Sequence, residues 1–280
     1  MAAARKIRLM KVPFAVRTGR PGAEQGADSI LDAGLGRMLR HLGKELAEER
    51  IAGSNVQEVG RLLADKTAAA VAEGEFPLIV GGDRSVSIGA ISGLARRYDN
   101  LGVIWFDAHP SLLTERTSST GYVNEMALAS VLGKTDVDIP GLGRIRKENL
   151  VLIGLREVQP SESEWIRSEG ITCFTMADVD RMGIQKVVEA ALETAGNGTD
   201  GLHVSFDADC LDPLEAPGVV SAVPGGLYFR EAHFACELLS DSGKVTSMDV
   251  TEVNPFLDDQ RRTARLIAGL IASVLGKKIL

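Results

Sequence analysis

The sequence predicts an α/β protein, a mainly parallel sheet covered by helices on both faces. Short apolar runs alternate with longer amphipathic stretches along the chain, and the apolar runs are near-continuous rather than mixed with polar residues. Strands buried on both faces read this way, because every side chain meets a covering helix. In chain order the strand candidates are 6–13, 77–80, 101–106, 149–155, 171–175, 202–206 and 245–250. Helical patterns fill 55–73, 184–196, 229–240 and 259–275. Strand–helix alternation produces crossover units, and crossovers make neighbouring strands parallel. No repeat or low-complexity linker interrupts the pattern, and 280 residues suit one large α/β domain or two small ones.

Composition narrows the function classes. A net charge of −7 argues against a nucleic-acid partner, since phosphate binding needs a basic face. No window reaches about 18 uninterrupted apolar residues, so no membrane span is expected. The N-terminal MAAARKIRLMKVPF lacks the apolar core of a secretory leader. Cys173, Cys210 and Cys236 are scattered without a C-x-x-C pair, which reads as reduced thiols in a cytoplasm.

Parallel α/β sheets bind ligands at the carboxyl ends of their strands. Gly81-Gly82-Asp83-Arg84-Ser85 follows the run at 77–80, and Asp107-Ala108-His109-Pro110-Ser111 follows 101–106. Asp207-Ala208-Asp209-Cys210 follows 202–206, and Thr251-Glu252-Val253-Asn254 follows 245–250. D-x-H and D-x-D put alternate side chains on one side of the chain. Oxygen and nitrogen donors converging this way suit a divalent ion such as Mn²⁺. A single strand-end Asp is usually a cap or turn former. Several clustered carboxylates without a cation would repel one another.

These segments resemble the arginase/agmatinase (ureohydrolase) family. SFDADCLDP (205–213) is similar to S-F-D-x-D-x-x-D-P, and MDVTEVNP (248–255) to D-x-x-E-x-N-P. GGDRS (81–85) and DAHPS (107–111) resemble G-G-D-H-S and D-A-H-x-D with one change each. IGLREVQP (153–160) and the N-terminal stretch 12–26 add to the likeness, which runs from about residue 8 to 277 in order. The resemblance implies one arginase-like domain over 1–280, a three-layer α/β/α sandwich with about eight strands, and assembly as trimers or hexamers. It implies two Mn²⁺ ions sharing a hydroxide that attacks a guanidinium carbon and releases urea.

Carried over residue by residue, the resemblance places Asp107 and Asp207 as bridging carboxylates and His109 and Asp209 as the private ligands of one ion. The other ion's private ligands fall on Arg84 and Ser111. The acid/base histidine falls on Asn124, followed by Glu125 in place of glycine. Glu252 matches the guanidinium-binding glutamate. Contacts to the substrate's amino-acid end fall on Gln159, Leu113, Ser118 and Thr120. An arginine cannot ligate a metal, because its guanidinium keeps its proton. Its charge can instead neutralise Asp107, Asp207 and Asp83 through charge-assisted hydrogen bonds, or the side chain can turn to solvent. Asp107, His109, Asp207 and Asp209 suffice for one Mn²⁺, Zn²⁺ or Fe²⁺, so the expectation is at most one ion, with a metal-free site as the alternative.

His203 lies within an apolar run and reads as a satisfied core histidine; His41 and His233 read as surface or packing residues, and Cys210 as a small buried thiol. Three functions remain open. One is a divergent hydrolase of a guanidino or related C–N substrate, weak or inactive on L-arginine. Another is a pseudoenzyme or regulatory subunit, assembled with itself or with an active homologue. The third is a biosynthetic enzyme with Arg84 or Glu125 as a new catalytic group.

Overall fold

The computed structural model describes residues 6–16, 20–137, 139 and 141–278. Part of the N-terminal segment read at 12–26, residues 17–19, lies outside the described residues. Among the described residues, eight strands form one sheet: β1 (Lys6–Val12), β2 (Glu45–Arg50), β3 (Phe76–Gly81), β4 (Leu101–Phe106), β5 (Leu150–Leu155), β6 (Thr172–Thr175), β7 (Gly201–Asp207) and β8 (Val245–Thr251). Their order is β2-β1-β3-β8-β7-β4-β5-β6, and every pairing is parallel.

The helices are α1 (Gly26–Asp32), α2 (Leu35–His41), α3 (Val56–Ala72), α4 (Ser85–Ala95), α5 (Ala127–Val131), α6 (Pro160–Glu169), α7 (Met176–Met182), α8 (Ile184–Gly196), α9 (Phe229–Asp241) and α10 (Arg262–Val274). None is long and apolar enough to cross a membrane. The chain α2–α10–α9–α8–α7 packs side by side with α1 beside α10, while α3, α4 and α5 form a separate row. Successive residues of the central strands therefore enter different cores. Ile104 and Phe106 join the core of α1, α8, α9 and α10, whereas Val103 and Trp105 pack with Ile88, Ile91 and Leu128. That is the physical reason for the continuous apolar runs. Phe106 and Phe206, paired in register with ring centroids 5.4 Å apart, plug the sheet just below its carboxyl edge.

One strand departs from the sequence reading. β2 has the sequence ELAEER, exposed or half-buried throughout, and pairs only with β1. An edge strand need not bury either face, and its charges keep the open edge from recruiting another strand. It therefore left no apolar run to read.

The connection from β3 to β4 passes over β8 and β7, which lie between them. A crevice opens at such a reversal of strand order. The four central strands β3, β8, β7 and β4 thus bring Arg84, Glu252, Asp207–Asp209 and Asp107–His109 to one place.

Candidate active site

Each acid is held by its own turn. Asp107 Oδ1 accepts from His109 N at 2.7 Å, and Asp207 Oδ1 accepts from Asp209 N at 2.9 Å. The alternate spacing of D-x-H and D-x-D is what permits these two-residue turns. Trp105 Nε1 donates to Asp107 Oδ2 at 3.0 Å, and Ala108 N donates to Asp209 Oδ1 at 3.2 Å. Asp207 Oδ2 and Asp209 Oδ2 face Arg84, and Asp107 Oδ2 is shared between Arg84 and Trp105.

The Arg84 side chain lies inward, with the residue only 4% exposed. Its Nε lies 2.5 Å from Asp207 Oδ2 and 3.0 Å from Asp107 Oδ2, and its Nη2 donates to Asp209 Oδ2. Nη2 also lies 3.1 Å from His109 Nδ1. One guanidinium thus engages all three aspartates. The expected partner Asp83 is not among them. Its carboxylate accepts instead from Val16 N at 2.5 Å, from Ser85 N at 3.0 Å and from the Ser85 hydroxyl. Asp83 lies at the start of α4 and is committed to those backbone donors before a neighbouring guanidinium can claim it.

One arginine does not balance this much acid. Burial pushes Asp207 well above the usual carboxylate range, against the pull of Arg84 and with Asp209 and Asp107 adding to the rise. Burial likewise raises Asp107. Asp209 goes the other way: Arg84 and His109 outweigh its burial and hold it low. Burial and Arg84 pull His109 down, but Asp209 and Asp107 raise it to about 9. Glu252 is pushed up to about 8, chiefly by burial. The cluster therefore retains protons that free carboxyls would have lost.

The backbone here is strained. Ser111 has φ 53° and Glu252 has φ 66°, a left-handed conformation that costs a non-glycine residue about 1–3 kcal/mol. Glu252 N donates to Gly82 O at 2.7 Å, and Glu252 Oε1 accepts from Arg84 N at 3.1 Å. Gly82 is also required for the close approach of the N-terminal segment, since a Cβ there would fall 1.7 Å from Phe14 O.

A cavity of about 730 Å³ opens over the cluster, lined by Arg84, His109, Ser111, Asn124, Glu125 and Glu252 among others. Leu113 and Gln159 also line it. Ser118 and Thr120 do not reach it independently; both hydroxyls donate to Glu125 Oε2, at 2.9 and 2.7 Å. Two contributors were given no role by the sequence: Arg156, although it lies in the quoted IGLREVQP segment, and Glu162. Arg156 donates to the carbonyls of Asp209 at 2.7 Å and Val223 at 2.6 Å, fixing the loop after β7. Glu162 accepts from Leu112 N at 2.9 Å and Gln159 N at 3.0 Å. Both act on backbone, which residue type alone does not reveal.

The other histidines are structural. His203 is fully buried between Ser247 Oγ at 3.0 Å and Asp249 Oδ2 at 2.9 Å. His41 Nδ1 lies 2.8 Å from Arg37 O, and His233 packs on Phe229 with ring centroids 5.3 Å apart. All three cysteines are unpaired, and burial raises the Cys210 thiol.

A profile of the Arginase family matches residues 5–276. The chain belongs to the arginase family. It is 38% identical to the arginase of Bacillus subtilis (strain 168), with 98% of this chain and 99% of that protein covered. It is 36% identical to the arginase of Bacillus caldovelox, with 98% and 99% covered. The crystal structure of arginase from Bacillus subtilis superposes with a TM-score of 0.95 at 39% identity, covering 99% of this chain and 100% of that one.

The two-ion centre that the family resemblance implies does not fit the residues present. The guanidinium of Arg84 already fills the space between Asp107, Asp207 and Asp209, and an arginine cannot serve as a ligand to an ion there. Ser111 brings a neutral hydroxyl where a carboxylate would be needed. Asp107, His109 and Asp209 offer ligand atoms within 4.8 Å of one another, a possible seat for a single ion. Asp207, expected as a fourth ligand, does not join that group and is taken up by Arg84 Nε.

Proposed function

We propose that this chain is an arginase-family protein that binds a small polar ligand in its cavity without running the two-ion hydrolysis of guanidino compounds. The single observation that carries this reading is the guanidinium of Arg84 among Asp107, Asp207 and Asp209. It neutralises in part the acids that a pair of cations would neutralise, and it cannot activate water, having no vacant coordination position and no removable proton. Asn124 cannot exchange a proton either, and Glu252 is tied to the Arg84 backbone.

A second reading has its own observation. Asp107, His109 and Asp209 could take one Mn²⁺, Zn²⁺ or Fe²⁺ if Arg84 withdrew, leaving a single-ion hydrolase with weak or no action on L-arginine. Assays of urea release from L-arginine and from other guanidino compounds, with Mn²⁺ supplied, separate the two. The binding reading expects no urea above background from any of them; turnover with one ion per chain would install the second.

We further propose that residues 1–280 make one domain, in a cytoplasmic setting, self-associating as a trimer or hexamer. The single sheet and unpaired cysteines support the first two points, and the family resemblance supports the third. Light scattering on the eluted protein checks the assembly, and a monomeric mass would remove it.

A further inference from the structure

The cavity wall above Arg84 offers acceptors in two places. At depth, Ser111 Oγ and Asn124 Oδ1 are buried and have no hydrogen-bond partner among the described residues, and both residues line the cavity. Ser111 is 2% exposed, so only an occupant of the cavity can satisfy its hydroxyl. The amide oxygen needs an N–H or O–H and the Ser111 hydroxyl can accept one as well, so a donor at this end satisfies both atoms.

Nearer the surface, Glu125 closes a loop of its own making. Its carboxylate accepts from Ser118 Oγ and Thr120 Oγ1. Those hydroxyls accept in turn from Gly121 N at 2.9 Å and Tyr122 N at 3.1 Å. Both hydroxyl protons are committed to a carboxylate built into the chain, so a ligand's carboxylate finds no donor there and meets a like charge. Glu157, exposed beside His109, is another acid of the cavity lining. Arg20 is the one exposed guanidinium among the described lining residues, with its Nη1 on Val220 O at 3.2 Å.

We infer that the cavity selects an alkyl diamine without a carboxylate, one ammonium donating to Ser111 Oγ and Asn124 Oδ1 and the other facing Glu125, with Glu125 as the specificity-determining residue. An ammonium fits better at depth than a planar guanidinium. It is a compact charge with three donors that can meet separate single acceptors, whereas the aspartates that would match a guanidinium fork already hold Arg84. The inference rests on the binding reading above and names the ligand class for the same cavity.

Titration calorimetry of the full-length protein with 1,5-diaminopentane and with L-lysine tests it, because the two differ only by the α-carboxylate. The diamine is expected to bind at least about tenfold more tightly, a difference near 1.4 kcal/mol. Glu125→Gln keeps the acceptor for Ser118 and Thr120 but loses the charge, and should bring the ratio close to one. Asn124→Leu should weaken the diamine with no new partner to replace the amide. Equal or tighter binding of lysine, with that affinity lost in Arg20→Ala, would overturn the inference in favour of a carboxylate anchored by Arg20. Binding of neither compound would also overturn it. Either failure leaves the absence of urea release standing, whereas urea release would defeat the binding reading whatever the ratio.

Discussion

Strands β7 and β8 carry two buried polar clusters. Within the sheet, His203 faces Asp249, and the second carboxylate oxygen accepts from Ser205 Oγ at 2.8 Å and Ser87 Oγ at 3.1 Å. One imidazole answers one carboxylate, and each ring nitrogen has a partner. At the carboxyl ends of the same strands, Asp207, Asp209 and Glu252 meet Asp107 from β4, with Arg84 and His109 as the cations. Here acid exceeds base, and two of the surrounding residues hold left-handed φ values. The difference teaches where to look for function. A cluster that balances its charges and satisfies its donors is finished structure. A cluster that keeps a surplus of acid in strained backbone was shaped to hold cations, and in this chain the main cation is covalently part of the protein.

The largest expected effect breaks the upper cluster alone. Arg84→Met removes the guanidinium and leaves buried carboxyls without it, a change that typically costs about 3–5 kcal/mol. Urea denaturation should register that loss. A change within about ±0.5 kcal/mol would mean that Arg84 behaves as a surface residue. In the lower cluster, Asp249→Ala strands His203 and two serines, for about 1–3 kcal/mol. Diamine affinity should stay unchanged in that variant, because the cluster lies beneath the site and not in its cavity. A shift in affinity would join the two clusters into one functional unit.

Acidity offers a further test of the upper cluster. Glu252 is raised from 4.5 to about 8, so the folded protein binds its proton more tightly than the unfolded chain does. Stability from that proton is present at low pH and fades as pH rises through about 8. His109, raised from 6.5 to about 9, contributes below its ordinary value and loses that contribution through about 9. Both push the same way, so the melting temperature should fall between pH 6 and pH 9. Glu252→Gln should flatten the slope. A melting temperature that rises over this interval would refute the assignment. Asp209 has the opposite sign: it is depressed, and its contribution disappears only in acid, below its ordinary 3.8.

Much of the fold was legible because burial imposes pattern. The runs at 101–106 and 245–250 coincide with β4 and nearly with β8, since two helical layers demand apolar side chains on both faces. β2 escaped because an edge strand faces no such demand. At the site, D-x-H, D-x-D and the arginine among them told which residues converge. They did not tell which oxygens Arg84 would take. That depended on Asp83 being captured by Val16 and Ser85, a contact between segments distant in sequence. The capture of Ser118 and Thr120 by Glu125 was hidden for a similar reason. Short polar side chains in a loop gain their partners from the loop's closure, which leaves no periodic trace.

The central claim is that Arg84 stands where an ion would otherwise bind. Manganese per chain, measured by mass spectrometry after equilibrium dialysis of the untreated protein against Mn²⁺, tests it most directly. The account predicts at most one ion in the native chain and two in the double variant Arg84→His with Ser111→Asp. Two ions per native chain would contradict it.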